Sequence, residues 1–486
     1  MEMNNEFDLI VIGSGPAGEK AAVKAAYFNY RVAIIERDKR FGGAGIQTGT
    51  LPSKTLKETT LYLSGVYSKG IFGVDKELSR QAGIQDFMYR KNLVTHQAGN
   101  SVEANLRQHR VEIFKGHGEF LNAHQVRVTG HDREKILYGK YIIIATGSYP
   151  VHPSGIPFDG VRLHDSDSIL SITRFPKSLC VLGAGVIGCE YATIFAAMGI
   201  KTYIVNNNNR ILNFLDEEVS AALVAQMEKN GINVLFDNAI THFEVPANPE
   251  DDLLLTLKNG EVLAVDMFLF AAGRSGNTHN LKCENAGVQL DVRETVKVNH
   301  KFQTNVENIY AVGDVIGFPA LASTSMDQGR IAVAHIFSTG DLKTLTHIFP
   351  YGIYTVPEVS MVGITEQQAK KENIDYNTGI CHYRDTIRGK IMGDLDNGFL
   401  KLVFDKNSKQ ILGVHIIGII ATEIIHFGLA LVKEKKTLDE VISTVFNFPT
   451  FHDLYKYAAY DGLGNLSGWK LRKPGEVIEA GHDQNV

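Results

Sequence analysis

The chain has 486 residues, of which 44% are hydrophobic and 21% charged, and a formal net charge of −5. The length accommodates about two to four domains, and the composition is that of a globular protein, not of a disordered, fibrous or membrane-spanning one. A mildly acidic chain offers no basic field for nucleic acid or an anionic membrane surface. Met1-Glu2-Met3-Asn4-Asn5-Glu6 carries no basic region of a signal peptide and runs straight into a strand. A cytoplasmic protein is therefore expected.

Phe7 to Ile12 is a run that is apolar but for Asp8 and ends in Gly13-Ser14-Gly15-Pro16-Ala17-Gly18. The pattern predicts a helix from there through Phe28, then a strand from Arg31 to Ile35 ending at Glu36. This is a βαβ unit. Gly13, Gly15 and Gly18 permit a tight turn, close approach to a pyrophosphate and helix–strand packing. The helix N-terminus supplies N–H donors and the positive end of its dipole. Glu36 stands where an acid binds ribose hydroxyls.

The segment from Gly42 to Lys54 is rich in glycine and contains no cysteine. Further along, the same βαβ unit recurs. Ser178 to Leu182 reads as a strand, Gly183-Ala184-Gly185-Val186-Ile187-Gly188 as the turn, the next residues to about Met198 as a helix, and Lys201 to Val205 as the following strand. One such glycine pattern is a weak signal, whereas two in full βαβ context indicate two dinucleotide-binding folds. The acid position of the second unit is Asn206, within Asn206-Asn207-Asn208-Asn209-Arg210. A carboxylate there would bind the NAD ribose and repel a 2′-phosphate, so its absence removes a discriminator against NADP. A plain polar turn is the alternative reading.

The four cysteines, at 180, 189, 283 and 381, show neither a Cys-x-x-Cys spacing nor a metal pattern. They read as packed thiols of a reducing compartment, and no metal is expected. From about residue 346 the texture changes. Alternating strands at Ile353 to Thr355, Val359 to Val362, Phe399 to Phe404 and Ile411 to Ile417 mix with amphipathic helices, as in an α+β cap. Ile411 to Val432 is the most apolar stretch, but His415, Thr422, Glu423 and His426 interrupt it. It reads as a buried strand and helix, not a membrane span. Ser467 to Val486 is polar and reads as an arm or tail.

Six motifs stand in one order along the chain: Gly13-x-Gly15-x-x-Gly18, Gly42-Gly43 through Pro52-Ser53-Lys54, Ala145-Thr146-Gly147, Gly183-x-Gly185-x-x-Gly188, Ala272-Gly273-Arg274 and Tyr310-Ala311-Val312-Gly313-Asp314. On these residues the chain resembles the pyridine nucleotide–disulfide oxidoreductases, a family of two-dinucleotide-binding flavoproteins. The resemblance implies an α/β fold with two Rossmann-like domains, for FAD and NAD(P), plus a C-terminal α+β dimerisation domain. The implied boundaries are 1–155 and 277–345 for the FAD-binding domain, 156–276 for the NAD(P)-binding domain, 346–466 for the dimerisation domain and 467–486 for the tail.

Disulfide reductases of this family carry a Cys-x4-Cys redox pair just before the Pro-Ser-Lys. Here Gly45 and Thr50 hold those positions, and neither can form the thiolate such chemistry needs. Near the C-terminus the same enzymes carry an acid/base histidine before Pro-Thr, where this chain has Phe448 before Pro449-Thr450. His452 lies nearby but out of register and reads as a surface or core residue. Both halves of the dithiol chemistry are missing together.

Within the family, Gly273-Arg274-Ser275-Gly276-Asn277-Thr278, Gly313 to Pro319, Asp327-Gln328-Gly329-Arg330 and Phe446 to Thr450 are similar to soluble FAD-containing pyridine nucleotide transhydrogenases, as is Asn206. Two residues depart from that pattern. Gly45 replaces a first cysteine, and Asn208 replaces a basic residue, which leaves the choice between NADP and NAD open. The resemblance implies that Gly13, Gly15 and Gly18 hold the FAD pyrophosphate and Glu36 the AMP ribose. Asp314 would hold the ribitol side, with Ala322 at the pyrimidine end of the flavin and Thr146 and Gly147 at a crossing point beside it. Lys54 and Glu190 would form a pair at flavin N5. Gly183, Gly185, Gly188, Asn206 and Gly273 would bind NAD and NADP as substrates. Val186 holds a position where some relatives carry an aromatic gate. The implied reaction is ping-pong hydride transfer between NADPH and NAD⁺ through FAD at one nicotinamide site, in a homodimer whose Phe448 lines the other copy's site. The alternatives are a thiol-free flavin reductase, diaphorase or oxidase, and a nucleotide-binding flavoprotein with a regulatory role.

Overall fold

The structure is a computed structural model that describes residues 5–65, 82–130, 134–340, 344–393 and 398–468. Most of the tail read from the sequence lies outside these residues. The chain divides into two compact units. One comprises Met1–Leu212 with Met227–His347, and the other Asn213–Gln226 with Ile348–Val486.

The first unit is built on two main sheets, the first mixed, with antiparallel pairing of Gln125–Thr129 to both its neighbours, and the second parallel. In the first sheet the spatial order is Glu112–Lys115, Val32–Glu36, Glu6–Ile12, Glu134–Ile144, Gln125–Thr129 and His117–Asn122, with Ile309–Ala311 also pairing on Glu134–Ile144. Leu9 to Ile12 run parallel to both Val32–Ile35 and Tyr141–Ile144. In the strand at the sheet centre, Leu9 to Ile12 are all apolar because both faces are covered there. Ile10 and Ile12 enter a cluster with Phe120 and Val126 on one face. Leu9 and Val11 pack with Ala17, Ala21 and Ala22 on the other. Those alanines lie on the helix Pro16–Tyr27, which opens on a proline at its first turn, where the missing N–H would have no partner in any case.

The second sheet has the order Ile232–Leu235, Lys201–Val205, Ser178–Leu182, Met267–Phe270 and Leu163–Asp165, all pairs parallel. The helix Val186–Ala197 follows its central strand. Both predicted βαβ units are therefore present, with strand and helix ends within a residue or two of the sequence reading. Each glycine turn lies at the carboxyl end of its sheet's central strand, where open α/β sheets bind ligands.

The second unit carries an antiparallel sheet in the order Tyr351–Ile353, Glu358–Gly363, Ile411–Gly418, Phe399–Asp405 and Tyr376–His382. Two expectations are corrected here. The strand read as Ile353 to Thr355 ends at Ile353. Thr355 turns its hydroxyl to the Pro357 carbonyl at 2.6 Å, and Pro357 has no N–H to continue a ladder. The strands also do not alternate in burial. Phe399 through Phe404 are all buried, including Lys401, whose ammonium meets Asp216 at 3.0 Å, Glu218 at 2.7 Å and Glu366 at 2.6 Å. Burial pushes the Glu366 carboxyl up, but hydrogen bonds from Lys401 and Tyr376 and the charges of Lys401 and Lys370 outweigh it and bring the carboxyl to about 2. A buried ammonium tolerates its loss of water only with such partners. The same contacts explain why Asn213–Gln226 groups with this unit. The apolar stretch from Ile411 divides into a strand, Ile411–Gly418, and a helix, Ala421–Lys433. Among the described residues no helix is long and apolar enough to cross a membrane.

Candidate active site

The first glycine turn is a backbone-to-backbone contact. Gly13 has φ +104°, and a Cβ on it would lie 2.4 Å from the Ala145 carbonyl oxygen. A Cβ on Gly18 would lie 2.0 Å from the Gly13 oxygen. Gly15 differs, because the nearest atom to a Cβ there is the Gly43 Cα at 3.9 Å. Gly13 and Gly18 are thus required for packing, while Gly15 keeps its outward side clear for a ligand. At the end of the next strand, buried Glu36 accepts from the Ser14 N–H at 3.0 Å, the Ser14 hydroxyl at 2.5 Å and the Asp38 N–H at 2.8 Å. Ser14 Oγ in turn accepts from the Gly42 N–H at 3.1 Å. Glu36 therefore binds the turn to the segment that follows, a role that the motif does not convey.

The second turn repeats the geometry. Gly183 has φ +108°, with the Ala271 oxygen 2.9 Å from a Cβ, and a Cβ on Gly188 would lie 1.9 Å from the Gly183 oxygen. A Cβ on Gly185 would meet no atom beyond its chain neighbours within 4 Å, and the same holds at Gly273 and Gly147. Asn206 is buried at the end of its strand, and its Nδ2 donates to the carbonyls of Asn208 at 3.0 Å and Arg210 at 3.1 Å.

Lys54 and Glu190, distant in sequence, meet. Lys54 Nζ lies 2.7 and 2.8 Å from the two Glu190 carboxylate oxygens. Lys54 is in the helix Thr50–Leu63, and Glu190 is buried in the helix Val186–Ala197. Ser53 is also buried, and its hydroxyl oxygen lies 3.0 Å from Glu190 Oε2 and 3.2 Å from the Gly49 carbonyl oxygen. The result is a partly open ammonium on an almost fully covered carboxylate, with side-chain exposures of 24% and 3%.

A further network joins the remaining motif residues. Ser148 donates to Asp314 Oδ2 at 3.1 Å and accepts from Arg274 Nε at 3.0 Å. Arg274 also reaches Ser166 at 3.0 Å and Asp167 at 3.1 Å. Burial pushes the Asp314 carboxyl above the ordinary range, against the Ser148 hydrogen bond and the charge of Arg274. Asn277 ties down the crossing segment, donating to the carbonyls of Thr146 and Gly147 at 3.1 and 2.9 Å. Ala322 opens the helix Ala322–Phe337. On the same helix Gln328 is fully buried and its Oε1 accepts from the Gly313 N–H at 2.7 Å.

Two buried polar atoms in this region, Thr146 Oγ1 and Gln328 Nε2, find no hydrogen-bond partner among the described residues. Buried donors are ordinarily satisfied, so a polar group from outside the chain fits here. Together with the clear space at Gly15 and the helix N-terminus behind it, these residues fit an FAD. Ser14, Ser53, Asn277 and Gln328 join the site although no motif position marks them as functional. Each lies next to or within a motif stretch, and that adjacency is the signal the sequence offers.

Gly45, in the position of the first redox cysteine, opposes Pro16, whose Cγ would lie 2.7 Å from a Cβ. Gly43 is similarly opposed by the Gly15 Cα at 2.9 Å. The segment lies against the first glycine turn so closely that a side chain at 45 requires the proline to move. All four cysteines are free and buried. Burial pushes the Cys283 thiol up to about 11 and those of Cys180 and Cys381 up to about 12. In the second unit Phe448 is 69% exposed. His452 packs among Phe427, Phe446 and Tyr455, and burial lowers its pKa.

Residues 7–329 match the model of the pyridine nucleotide-disulphide oxidoreductase family, and residues 349–459 match the dimerisation domain of that family. The chain is 41% identical over 463 residues to a soluble pyridine nucleotide transhydrogenase of Mycobacterium bovis, covering 95% of this chain and 98% of that one. It is 39% identical over 471 residues to the enzyme of the same name from Colwellia psychrerythraea, covering 96% of this chain and 100% of that one. Among solved structures it is similar to the HOCl-induced flavoprotein disulfide reductase RclA from Escherichia coli in its Cu(II) complex, with TM-score 0.84, 26% identity and coverage of 94% and 99%. LpdA from Mycobacterium tuberculosis shares the fold, with TM-score 0.85, 24% identity and coverage of 93% and 99%.

Proposed function

The chain belongs to the pyridine nucleotide-disulphide oxidoreductase family, and from that premise we propose that it is an FAD-dependent NAD(P)⁺ transhydrogenase that works without a redox disulfide. NADPH and NAD⁺ take turns at one nicotinamide site, so the kinetics are ping-pong and the nucleotides compete. The observation that carries this reading is the joint absence of the dithiol and its acid/base partner, with Gly45, Thr50 and Phe448 in their places. The names of the relatives at 37–41% identity support it.

Gly13, Gly15, Gly18 and the N-terminus of Pro16–Tyr27 hold the FAD pyrophosphate. Glu36 takes the AMP ribose while keeping the Ser14 turn in place. Asp314 takes the ribitol side, and Ala322 stands at the pyrimidine end of the flavin. Thr146, Gly147 and Gln328 border the crossing point. FAD held there supplies a ring that accepts hydride and returns it. Lys54 presents fixed positive charge beside that ring, and Ser53 and Glu190 keep the ammonium from swinging into water. Gly183, Gly185, Gly188, Asn206 and Gly273 receive the nucleotide. No residue is required to move a proton, because orientation and electrostatics suffice. The match to the dimerisation domain supports a homodimer, in which Phe448 of each copy lines the site of the other. Four buried free cysteines fit a reducing cytoplasm.

The test uses the yellow colour of the flavin. Under anaerobic conditions NADPH bleaches the protein, and added NAD⁺ restores the colour. Bleaching by NADH alone would make the protein an NADH-dependent flavin reductase. Steady oxygen consumption in air would make it an oxidase.

A further inference from the structure

We infer that Asn206 governs coenzyme affinity as a clasp that closes its own loop, and not as a relaxed version of a ribose-binding acid. The inference rests on the reading that the second glycine turn receives nicotinamide nucleotides. Asn206 ends the strand Lys201–Val205, and its main chain is pinned on both sides. Its N–H donates to the Leu235 carbonyl and its own carbonyl accepts from the Asn238 N–H, each at 3.0 Å. The side chain is buried, and its Nδ2 faces two carbonyl oxygens, those of Asn208 and Arg210. Only an N–H₂ group satisfies two acceptors, so chemistry fixes which way this amide points. The Asn208 carbonyl also accepts from the Asp237 N–H at 3.3 Å.

The closed loop reaches the nucleotide turn. Leu212, two residues past Arg210, has φ +44° and donates its N–H to the Ala184 carbonyl at 3.1 Å. Ala184 lies between Gly183 and Gly185. The amide of Asn206 therefore sets the position of the carbonyls at 208 and 210, and through them the chain that braces the glycine turn. The first βαβ unit works with the opposite polarity. There the residue at the same strand end, Glu36, receives N–H groups from Ser14 and Asp38. Each strand-end residue complements the loop it faces, an acceptor for N–H groups in one unit and a donor for carbonyls in the other.

An aspartate at 206 keeps an acceptor oxygen but loses both N–H groups and sets a carboxylate against two carbonyls. The motif rule and the clasp then predict opposite results for Asn206→Asp. Under the rule, the variant gains affinity for NAD and loses it for NADP. Under the clasp, both affinities fall together, because the loop opens. The experiment titrates ADP-ribose and its 2′-phosphate into the FAD-loaded protein by calorimetry, and follows hydrogen exchange of residues 206–212. The expected result for Asn206→Asp is a loss of about tenfold or more for both ligands by similar factors, faster exchange in the loop, and an unchanged flavin spectrum. Asn206→Ala, which adds no charge, is expected to give the same equal loss and separates the clasp from phosphate repulsion. Tighter ADP-ribose with weaker 2′-phosphate in Asn206→Asp, or unchanged affinities and exchange in either variant, overturns the clasp alone. Wild-type protein that binds neither fragment overturns the nucleotide-site reading, and the clasp with it.

Discussion

The two glycine turns share a backbone and differ in almost everything attached to it. Gly13 and Gly183 have φ of +104° and +108°, and Gly18 and Gly188 leave 2.0 and 1.9 Å between a would-be Cβ and the same carbonyl. Both helices are of 12 residues. The first helix buries a face of alanines, whereas the second is buried continuously from Gly188 to Ala196 and carries Glu190 within that stretch. Ser14 in the first turn bonds to Glu36, while Ala184 in the second offers only its carbonyl. Steric contact fixes the shared part, since a tight turn against a strand leaves no room for a side chain. Under the proposed function, the side chains around it suit a resident cofactor in one βαβ unit and an exchanging substrate in the other.

The largest effects should come from filling the shared contacts. Gly18→Ala and Gly188→Ala each force a methyl into a carbonyl, at a cost of about 3 kcal/mol or more. Gly18→Ala should yield colourless protein, and Gly188→Ala yellow protein that nucleotides no longer bleach. If Gly188→Ala also loses its flavin, the two glycine turns do not serve separate ligands. Next is the pair that joins them. Lys54→Met should keep FAD but slow its reduction by NADPH about 10²–10³-fold, as read by anaerobic stopped flow. Wild-type rates in that variant would remove Lys54 from the chemistry.

A smaller change is expected at the first strand end. Glu36→Gln exchanges one acceptor for a donor opposite Ser14 or Asp38, and should weaken FAD binding by about 1–3 kcal/mol, measured as flavin release on dilution. Nucleotide affinity of the variant reloaded with FAD should not change. The smallest effect concerns the thiols, two of which, Cys180 and Cys189, lie in the strand and helix of the second βαβ unit. With the Cys180 thiol pushed up to about 12 by burial, folded protein should take up almost no thiol reagent at neutral pH. Labelling should appear only with denaturant. Rapid labelling of native protein at these two residues would mean that the second βαβ unit opens where the first does not.

Much of the fold is legible in the sequence because its signals are local. A strand buried on both faces must be apolar along its length, a helix must start behind a glycine turn, and both appear as runs of neighbouring residues at Phe7–Gly18 and Ser178–Gly188. The order of the motifs, through the family resemblance it carries, also pairs Lys54 with Glu190 across 136 residues. What tertiary structure alone decided is of another kind. Residue types do not record whether a loop turns its N–H groups or its carbonyls inward, so by residue type Glu36 and Asn206 look like a strong and a weak version of one feature. Their hydrogen bonds show opposite polarities instead. Phe399–Phe404, expected to alternate, proved buried throughout, with Asp216 and Glu366 coming from distant points in the chain to satisfy Lys401. The orphaned donors at Thr146 and Gln328 likewise exist only once folding has removed water from them. Sequence determines what each residue can offer. Only the packed chain determines which partner faces it, because a hydrogen bond depends on direction and distance in space and not on separation along the chain.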